Sequence, residues 1–415
     1  MGAPGAGPHR WTPATPSCGI RTLASHEAPA SPEGSLTLPP SVLHVLPSLD
    51  PRRGGPVTAV IELVAGLREA GVPCAIAVPF RELRRQARVP LVGCAAWRIP
   101  LGPVLRLPRT SPLPGPVIVH VHGLASLVPW SPILGRRPWV SAIVATPHGI
   151  LDWRASAVLR GPKRIWHDRV DVPLLRRLDG LHVTRPSEVM SAQAAVGPTP
   201  EATCIPWTLA DLPAEASAAV PSPDLAPAAP YLLFVGRLAP IKRIKRLLDA
   251  FALMQTNPRP RLLLAGSGDP SYVASLSRHA RRLGVRARVE FLGPLGALPL
   301  RSLYGNAAAL VLPSLYENFG MVVLEAMRAG CPVIAALGTP WGLLTTEGAG
   351  RRVDFGDSGA AAAALVEALD PARRRAWGAG ARALYEKSFA PSRVIPRFVS
   401  WYEKVAAAAT PRGSP

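Results

Sequence analysis

The chain has 415 residues, 48% of them hydrophobic and 18% charged, with a formal net charge of +20. Those proportions exclude a disordered chain, and the length is enough for two or three domains with real cores. The charge favours anionic partners such as phosphates, nucleic acid or acidic lipid. Nearly all of it is arginine, within an Ala/Pro/Arg/Gly bias that runs through the whole sequence. A background bias therefore explains the charge equally well, and motifs must decide.

Five cysteines, Cys18, Cys74, Cys94, Cys204 and Cys331, form no Cys-x-x-Cys pair. An odd, scattered set points to reduced thiols in a cytosolic protein rather than to disulfides or zinc. The first 40 residues hold Pro, Gly and Ser without the apolar stretch of a signal peptide. The uncharged stretch Thr110–Gly135 is broken by prolines and carries two histidines, which makes it a poor bilayer span. The expectation is a soluble cytoplasmic protein, with peripheral attachment to the inner face of the plasma membrane left open.

Residues 1–40 read as a disordered tail, or as an over-long start of the reading frame. Val42–Leu46 is a buried strand, and a loop with Gly54 and Gly55 follows. Thr58–Arg68 has helical periodicity, Gly71 can cap it, and Cys74–Val78 is a second strand. This β-loop-α-β unit predicts a parallel sheet. Phe80–Arg88 is a short basic segment. "GPVIVHVHG" and "VSAIVATPHG" supply two more strands, ending at His122 and near His148. Open α/β sheets place their sites at such carboxyl ends. Residues 163–188 read as a helix running into a strand at Leu181–Thr184. Residues 209–230 are a Pro/Ala linker, which bounds a first domain at 41–208. A second strand–helix series fills 231–390. A last helix, Val394–Ala407, lies in 391–415 and is expected to pack back on the first domain. The fold class is α/β, with two Rossmann-like parallel-sheet domains facing a cleft.

The stretch "YENFGMVVLEAMRAG" carries two glutamates. Glu317 falls in a loop after a strand; Asn318-Phe319-Gly320 turns the chain; a helix starts near Met321 with Glu325 in its second turn. Free N–H groups at such a start suit a phosphate or polar ligand. Glu317 can accept from sugar hydroxyls and Glu325 from a ribose. Two acids near a helix start are also an ordinary solvated feature. Upstream, "FVGRLAPIKRIKRLL" sets Arg237 just after a strand and Lys242 at the next helix, two cations suited to a diphosphate. Arg243, Lys245 and Arg246 read equally as a solvated helix face. His122 alone reads more readily as a satisfied strand-end histidine. Gly54-Gly55 alone reads as a simple turn. "AGSG" at 265–268 is a strand-end turn, not a dinucleotide fingerprint.

The order of these motifs resembles the carboxyl-terminal domain of retaining glycosyltransferases of family 4, which have the GT-B fold. The resemblance spans about 41–407 and is most specific from Phe234 to Asp354. "RGGPVTAVIELVAGL" is similar to the family's glycine-rich first loop. "TPHGILDW", "LHVTRPSE", "GTPWGLL" and "GAGRRVD" resemble the subset that builds bacterial surface polysaccharides. The resemblance implies that Glu317 contacts donor-sugar hydroxyls and Glu325 the nucleotide ribose. Asn318, Phe319, Gly320 and Met321 would offer backbone to sugar and phosphate. Arg237 and Lys242 would neutralise the diphosphate, which backbone at Gly54 and Gly55 would approach. His122 would sit over the reacting sugar, with His148 close by. No Asp-x-Asp triplet is present for a divalent metal. The expectation is therefore metal-independent transfer, without a cofactor, from a nucleotide-diphosphate sugar to a cell-surface glycan or lipid-linked acceptor.

Two departures stand out. "CIPWTLADL" has Trp207-Thr208 where members commonly have Asn-Gly, which alters the hinge, and Arg243 replaces a frequent Gly, a change expected to sit easily on a helix. The basic excess of the first domain, about +10 over 41–210, fits an anionic lipid surface at ~1 kcal/mol per well-placed cation. A nucleotide-sugar epimerase or hydrolase on the same fold is the enzymic alternative. A nucleic-acid-binding protein is the non-enzymic one, but no aromatic-interleaved basic motif supports it, so no nucleic acid is expected.

Overall fold

The computed structural model describes residues 39–50, 54–84, 89–99, 102–123, 127–128, 130–151, 162–198, 200–210 and 230–409. The expected tail at 1–40 and linker at 209–230 fall almost wholly outside these residues, as does Cys18.

The first half opens with β1 (Ser41–Val45), α1 (Gly55–Glu69) and β2 (Cys74–Pro79). Val57, Val60, Val64 and Leu67 recur at helical spacing and are buried, so α1 lies along the sheet on that row. Next come β3 (Leu91–Ile99), β4 (Gly102–Arg106), β5 (Val117–His122), α2 (Ser131–Leu134) and β6 (Val140–Thr146). The expected helix after residue 163 forms as α3 (Pro162–Trp166), a π-helical turn at His167–Asp171, and α4 (Val172–Leu175). The buried Asp171 carboxylate accepts from the indoles of Trp130 at 2.8 Å and Trp166 at 3.2 Å, which satisfies its charge inside that turn. β7 (Gly180–Val183), α5 (Pro186–Val196) and β8 (Ala202–Cys204) complete the half. The eight strands run β4-β3-β2-β1-β5-β6-β7-β8. All neighbours are parallel except β3 and β4, which pair antiparallel and so qualify the all-parallel expectation at one edge.

The second half runs β9 (Tyr231–Val235), α6 (Ile244–Leu253), β10 (Arg261–Ala265), α7 (Pro270–Arg282), β11 (Val289–Gly293), α8 (Ala297–Asn306) and β12 (Ala309–Leu312). It continues with α9 (Met321–Arg328), β13 (Val333–Ala336), α10 (Leu343–Thr346), β14 (Gly350–Val353), α11 (Ser358–Glu367) and α12 (Pro371–Ser388). Six strands, all parallel, lie in the order β11-β10-β9-β12-β13-β14. Arg243 is not on a helix, contrary to expectation. It precedes α6 in the left-handed region at φ +51°, which is why glycine would sit there more easily.

The last helix, α13 (Pro391–Ala408), leaves the second half and lies on the first. A Cβ at Gly66 of α1 would meet Ile395 Cδ1 at 2.8 Å, so α1 and α13 touch nearly backbone to side chain. Trp401 and Val405 cover Gly180, and Arg397 donates to the Cys204 carbonyl at 2.8 Å. One apolar cluster thus joins Leu63 and Ile118 of the first half to Leu324, Tyr385 and Phe398. Burying Val394, Ile395, Phe398, Trp401, Tyr402 and Val405 contributes ~10 kcal/mol gross to holding this seam. No helix among the described residues is long and apolar enough to cross a membrane.

Candidate active site

In each sheet the chain reverses its direction of progress next to the first strand, between β1 and β5 and between β9 and β12. Loops leaving the carboxyl ends of two strands flanking a reversal diverge, and the gap between them is where open α/β sheets bind ligands. β1 leads to Gly54 and Gly55, β9 to Gly236 and Arg237, and β12 to the loop holding Glu317. These residues line a single cavity of about 510 Å³, together with Lys242, His148, Asn318, Phe319, Gly320, Met321 and Glu325. Every site residue expected from sequence lines it except His122. That residue is 1% exposed, one layer behind His148, because its strand ends beneath the loop that carries His148.

The polar groups are held in place. Lys242 and Glu317 form a mostly buried ion pair, and Ser314 Oγ donates to the same Glu317 oxygen at 3.1 Å. Glu317 thereby aims the ammonium at the cavity while keeping its second oxygen for other donors. Burial raises the Glu325 carboxyl above its usual range, and a 2.8 Å hydrogen bond from the Tyr304 hydroxyl works against that. Arg237 is exposed at the cavity wall. α9 begins at Gly320, φ +87°, with no side-chain cap, so its leading N–H groups are available to an acceptor.

Several contacts cross the cleft. Tyr316 donates to the Gly149 carbonyl at 3.1 Å, and Arg185 donates to the Tyr316 hydroxyl at 3.1 Å from above its ring. Gly149, φ +82°, approaches Asn318 so closely that a Cβ would stand 2.4 Å from Oδ1. Gly149→Ala is expected to destabilise by ~2–3 kcal/mol through overpacking and left-handed strain. The control is Gly115→Ala, where φ is +64° but nothing lies within 4 Å. Equal losses in urea denaturation would mean that strain alone, and not the cross-cleft contact, sets the cost.

Sequence reasoning misses three features. Trp207 reads there as a departure at a hinge. It is 2% exposed, lines the cavity and stacks on His148 with ring centroids 5.5 Å apart, while Thr208 donates to the Phe389 carbonyl at 2.7 Å. Gly266 and Ser267 of "AGSG" also line the cavity. A Cβ at Gly266 would strike the Gly236 carbonyl at 1.9 Å, so two glycine turns nest there. Lastly, His44, His120, His122, His148 and His182 gather beneath the cleft. Burial holds all five well below the ordinary imidazole range: His44 and His148 at about 3, His182 at about 4. Burial equally pushes the thiols of Cys74 and Cys331 up to about 12, so they are unreactive structural groups.

Two α/β halves with a cavity between the carboxyl edges of their parallel strands define the GT-B class. The structure superposes on sucrose-phosphate synthase from Thermosynechococcus elongatus with a TM-score of 0.70 at 23% identity, covering 89% of this chain and 100% of that one. It superposes on Anabaena HepE in complex with UDP and glucose with a TM-score of 0.68 at 20% identity, covering 88% and 99%. Residues 220–383 match the family model "Glycosyl transferases group 1". A D-inositol 3-phosphate glycosyltransferase from Geodermatophilus obscurus is 31% identical over 317 residues, 72% of this chain and 69% of its own length. D-inositol 3-phosphate glycosyltransferase 2 from Catenulispora acidiphila is 36% identical over 211 residues, 44% of this chain; that match spans about half, 49%, of the relative. The chain belongs to the group 1 glycosyltransferases.

Proposed function

We propose that the protein transfers a glycosyl group from a nucleotide-diphosphate sugar to a hydroxyl of a cell-surface glycan or lipid-linked acceptor, with retention at the anomeric carbon, in the manner of family 4. One observation carries this reading. Two cations, two carboxylates, a glycine turn and an uncapped helix start, drawn from both sheets, converge on one cavity. Arg237 and Lys242 meet the diphosphate, and Gly54 and Gly55 let backbone approach it from the other half. Glu325 accepts from the ribose and Glu317 from the sugar. The bond from the anomeric carbon to phosphate oxygen breaks, and the bond to the acceptor oxygen forms on the same face. The acceptor proton passes to the departing phosphate oxygen. Positive charge builds on the sugar and negative charge on the leaving group, and Lys242, fixed by Glu317, and Arg237 stabilise the latter without a divalent metal. The basic first half favours an anionic acceptor, including a lipid-linked one at an acidic bilayer.

The test is a thermal-shift panel of nucleoside diphosphates. One of them should stabilise the protein by ~2.7 kcal/mol at a hundredfold excess over Kd. Glu325→Ala and Arg237→Ala should both weaken that shift. A panel without response would remove the donor site from this cavity. Product analysis then separates transfer from epimerisation, because an epimerase needs no acceptor.

A further inference from the structure

Three of the five clustered histidines form a row that runs from the core to the cavity. His44 Nδ1 lies 2.9 Å from His122 Nε2, and His122 Nδ1 lies 3.3 Å from His148 Nε2. Of the three, only His148 lines the cavity. The inner nitrogen of the row, His44 Nε2, is buried without a hydrogen-bond partner among the described residues.

Neutral imidazoles carry one N–H each, which permits only two arrangements. If His44 donates from Nδ1, His122 must accept at Nε2 and donate from Nδ1, and His148 accepts at Nε2 and carries its proton on Nδ1. In the reverse order, His148 Nε2 donates inward and the last proton sits on His44 Nε2. The reverse order buries an N–H with no acceptor, whereas the first buries only a lone pair. Orphaned buried donors are the rarer and costlier of the two, so the row runs outward.

A neighbouring row obeys the same logic. The Ile205 carbonyl can only accept, so His182 donates to it from Nε2 at 2.7 Å and accepts the Thr146 hydroxyl at Nδ1 at 2.8 Å. Thr146 then accepts from His120 Nε2 at 2.7 Å, and Tyr402 of α13 donates to His120 Nδ1 at 2.7 Å. His44, His120 and His122 lie close enough to share a metal ion. Both nitrogens of His120 are already engaged in this row, so an ion would have to displace those bonds.

We propose that His44 and His122 are positioning residues that hold His148 as its Nδ1–H tautomer, so that the cleft receives a neutral hydrogen-bond donor rather than a base. The backbone supports a fixed role, since His148 is held at φ +52° between the row and the stacked Trp207. If the cavity binds a nucleotide sugar as proposed above, the partner is a sugar hydroxyl or phosphate oxygen of that ligand. The acceptor proton then goes to the leaving phosphate, because His148 has no lone pair to offer on that side.

Long-range proton–nitrogen NMR of the full chain labelled with 15N-histidine tests this at pH 8, with His148 assigned by its loss in His148→Gln. The expected spectrum has protonated Nδ1 at His44, His122 and His148, and protonated Nε2 at His120 and His182. A proton on His148 Nε2 in the wild type overturns the proposal, whether or not any variant folds. In His122→Phe the His148 proton should move to Nε2, and kcat/KM should fall about tenfold. An unmoved tautomer in that variant would show that the row does not hold His148. The spectrum does not depend on turnover, so it tests the row even if the donor panel fails.

Discussion

Lys242→Met is expected to lower kcat/KM by about a hundredfold or more with the nucleotide sugar that the binding panel selects. The ammonium is mostly buried, paired with Glu317, and fixed at the cavity before any ligand arrives. Preorganised charge of this kind needs no reorganisation when the diphosphate departs, and removing one such donor typically costs ~3 kcal/mol in the transition state. Two effects combine in the variant. The leaving group loses a cation, and Glu317 loses its partner while keeping the hydrogen bond from Ser314. Lys242→Arg preserves charge but not the point geometry, and should recover only part of the rate. Steady-state kinetics of the three proteins are the measurement. A loss under threefold for Lys242→Met would show that Lys242 does not face the leaving group.

Acid sensitivity is the second large effect. All five clustered histidines have folded values depressed by burial, with His44 and His148 at about 3 and His182 at about 4. The unfolded chain takes up protons near pH 6.5 that the native state refuses, so the cluster's stabilisation is complete above that pH. It is lost as pH falls from 6.5 towards the folded values, by ~1.4 kcal/mol per histidine per pH unit. Glu188 and Glu325 act in the opposite sense, because burial raises their folded values and they gain stability as pH falls. Five titrations outweigh two, which leaves a net loss of up to ~4 kcal/mol per unit below pH 6.5. That is a large share of a typical stability of ~5–15 kcal/mol. Urea denaturation at pH 8, 6.5 and 5.5 should show a flat upper segment and a steep lower one. A constant midpoint down to pH 5.5 would mean the imidazoles are hydrated or charged in the native state.

The class of architecture and the charged groups of the cavity wall were legible in the sequence itself. Apolar runs such as Tyr231–Val235 and Ala309–Leu312 are strands buried on both faces, and a run of that kind announces itself without knowledge of its neighbours. Glu317 and Arg237 were legible because each follows such a strand within a few residues, and Lys242 and Glu325 because they fall before or in the next helix, at the carboxyl end of a parallel strand where a ligand must lie. The β3–β4 hairpin was not legible, since an edge pair interrupted by prolines carries a weak alternation signal. Nor were α11 and α12 singled out by their pattern.

The rest depends on register between distant segments, which no local pattern encodes. His44 sits opposite His120 in the β1–β5 pairing, and His122 opposite Thr146 in β5–β6. A shift of one residue would turn these side chains to the opposite face of the sheet and dissolve the cluster. Trp207 reads in sequence as a misfit at a hinge and is in fact a wall of the cavity, stacked on His148. Tyr402 lies 282 residues from the histidine it contacts, and only the return of α13 across the first half brings them together. Local pattern specifies which residues are buried and where loops emerge; which buried groups meet is fixed by close packing of elements that the sequence does not order.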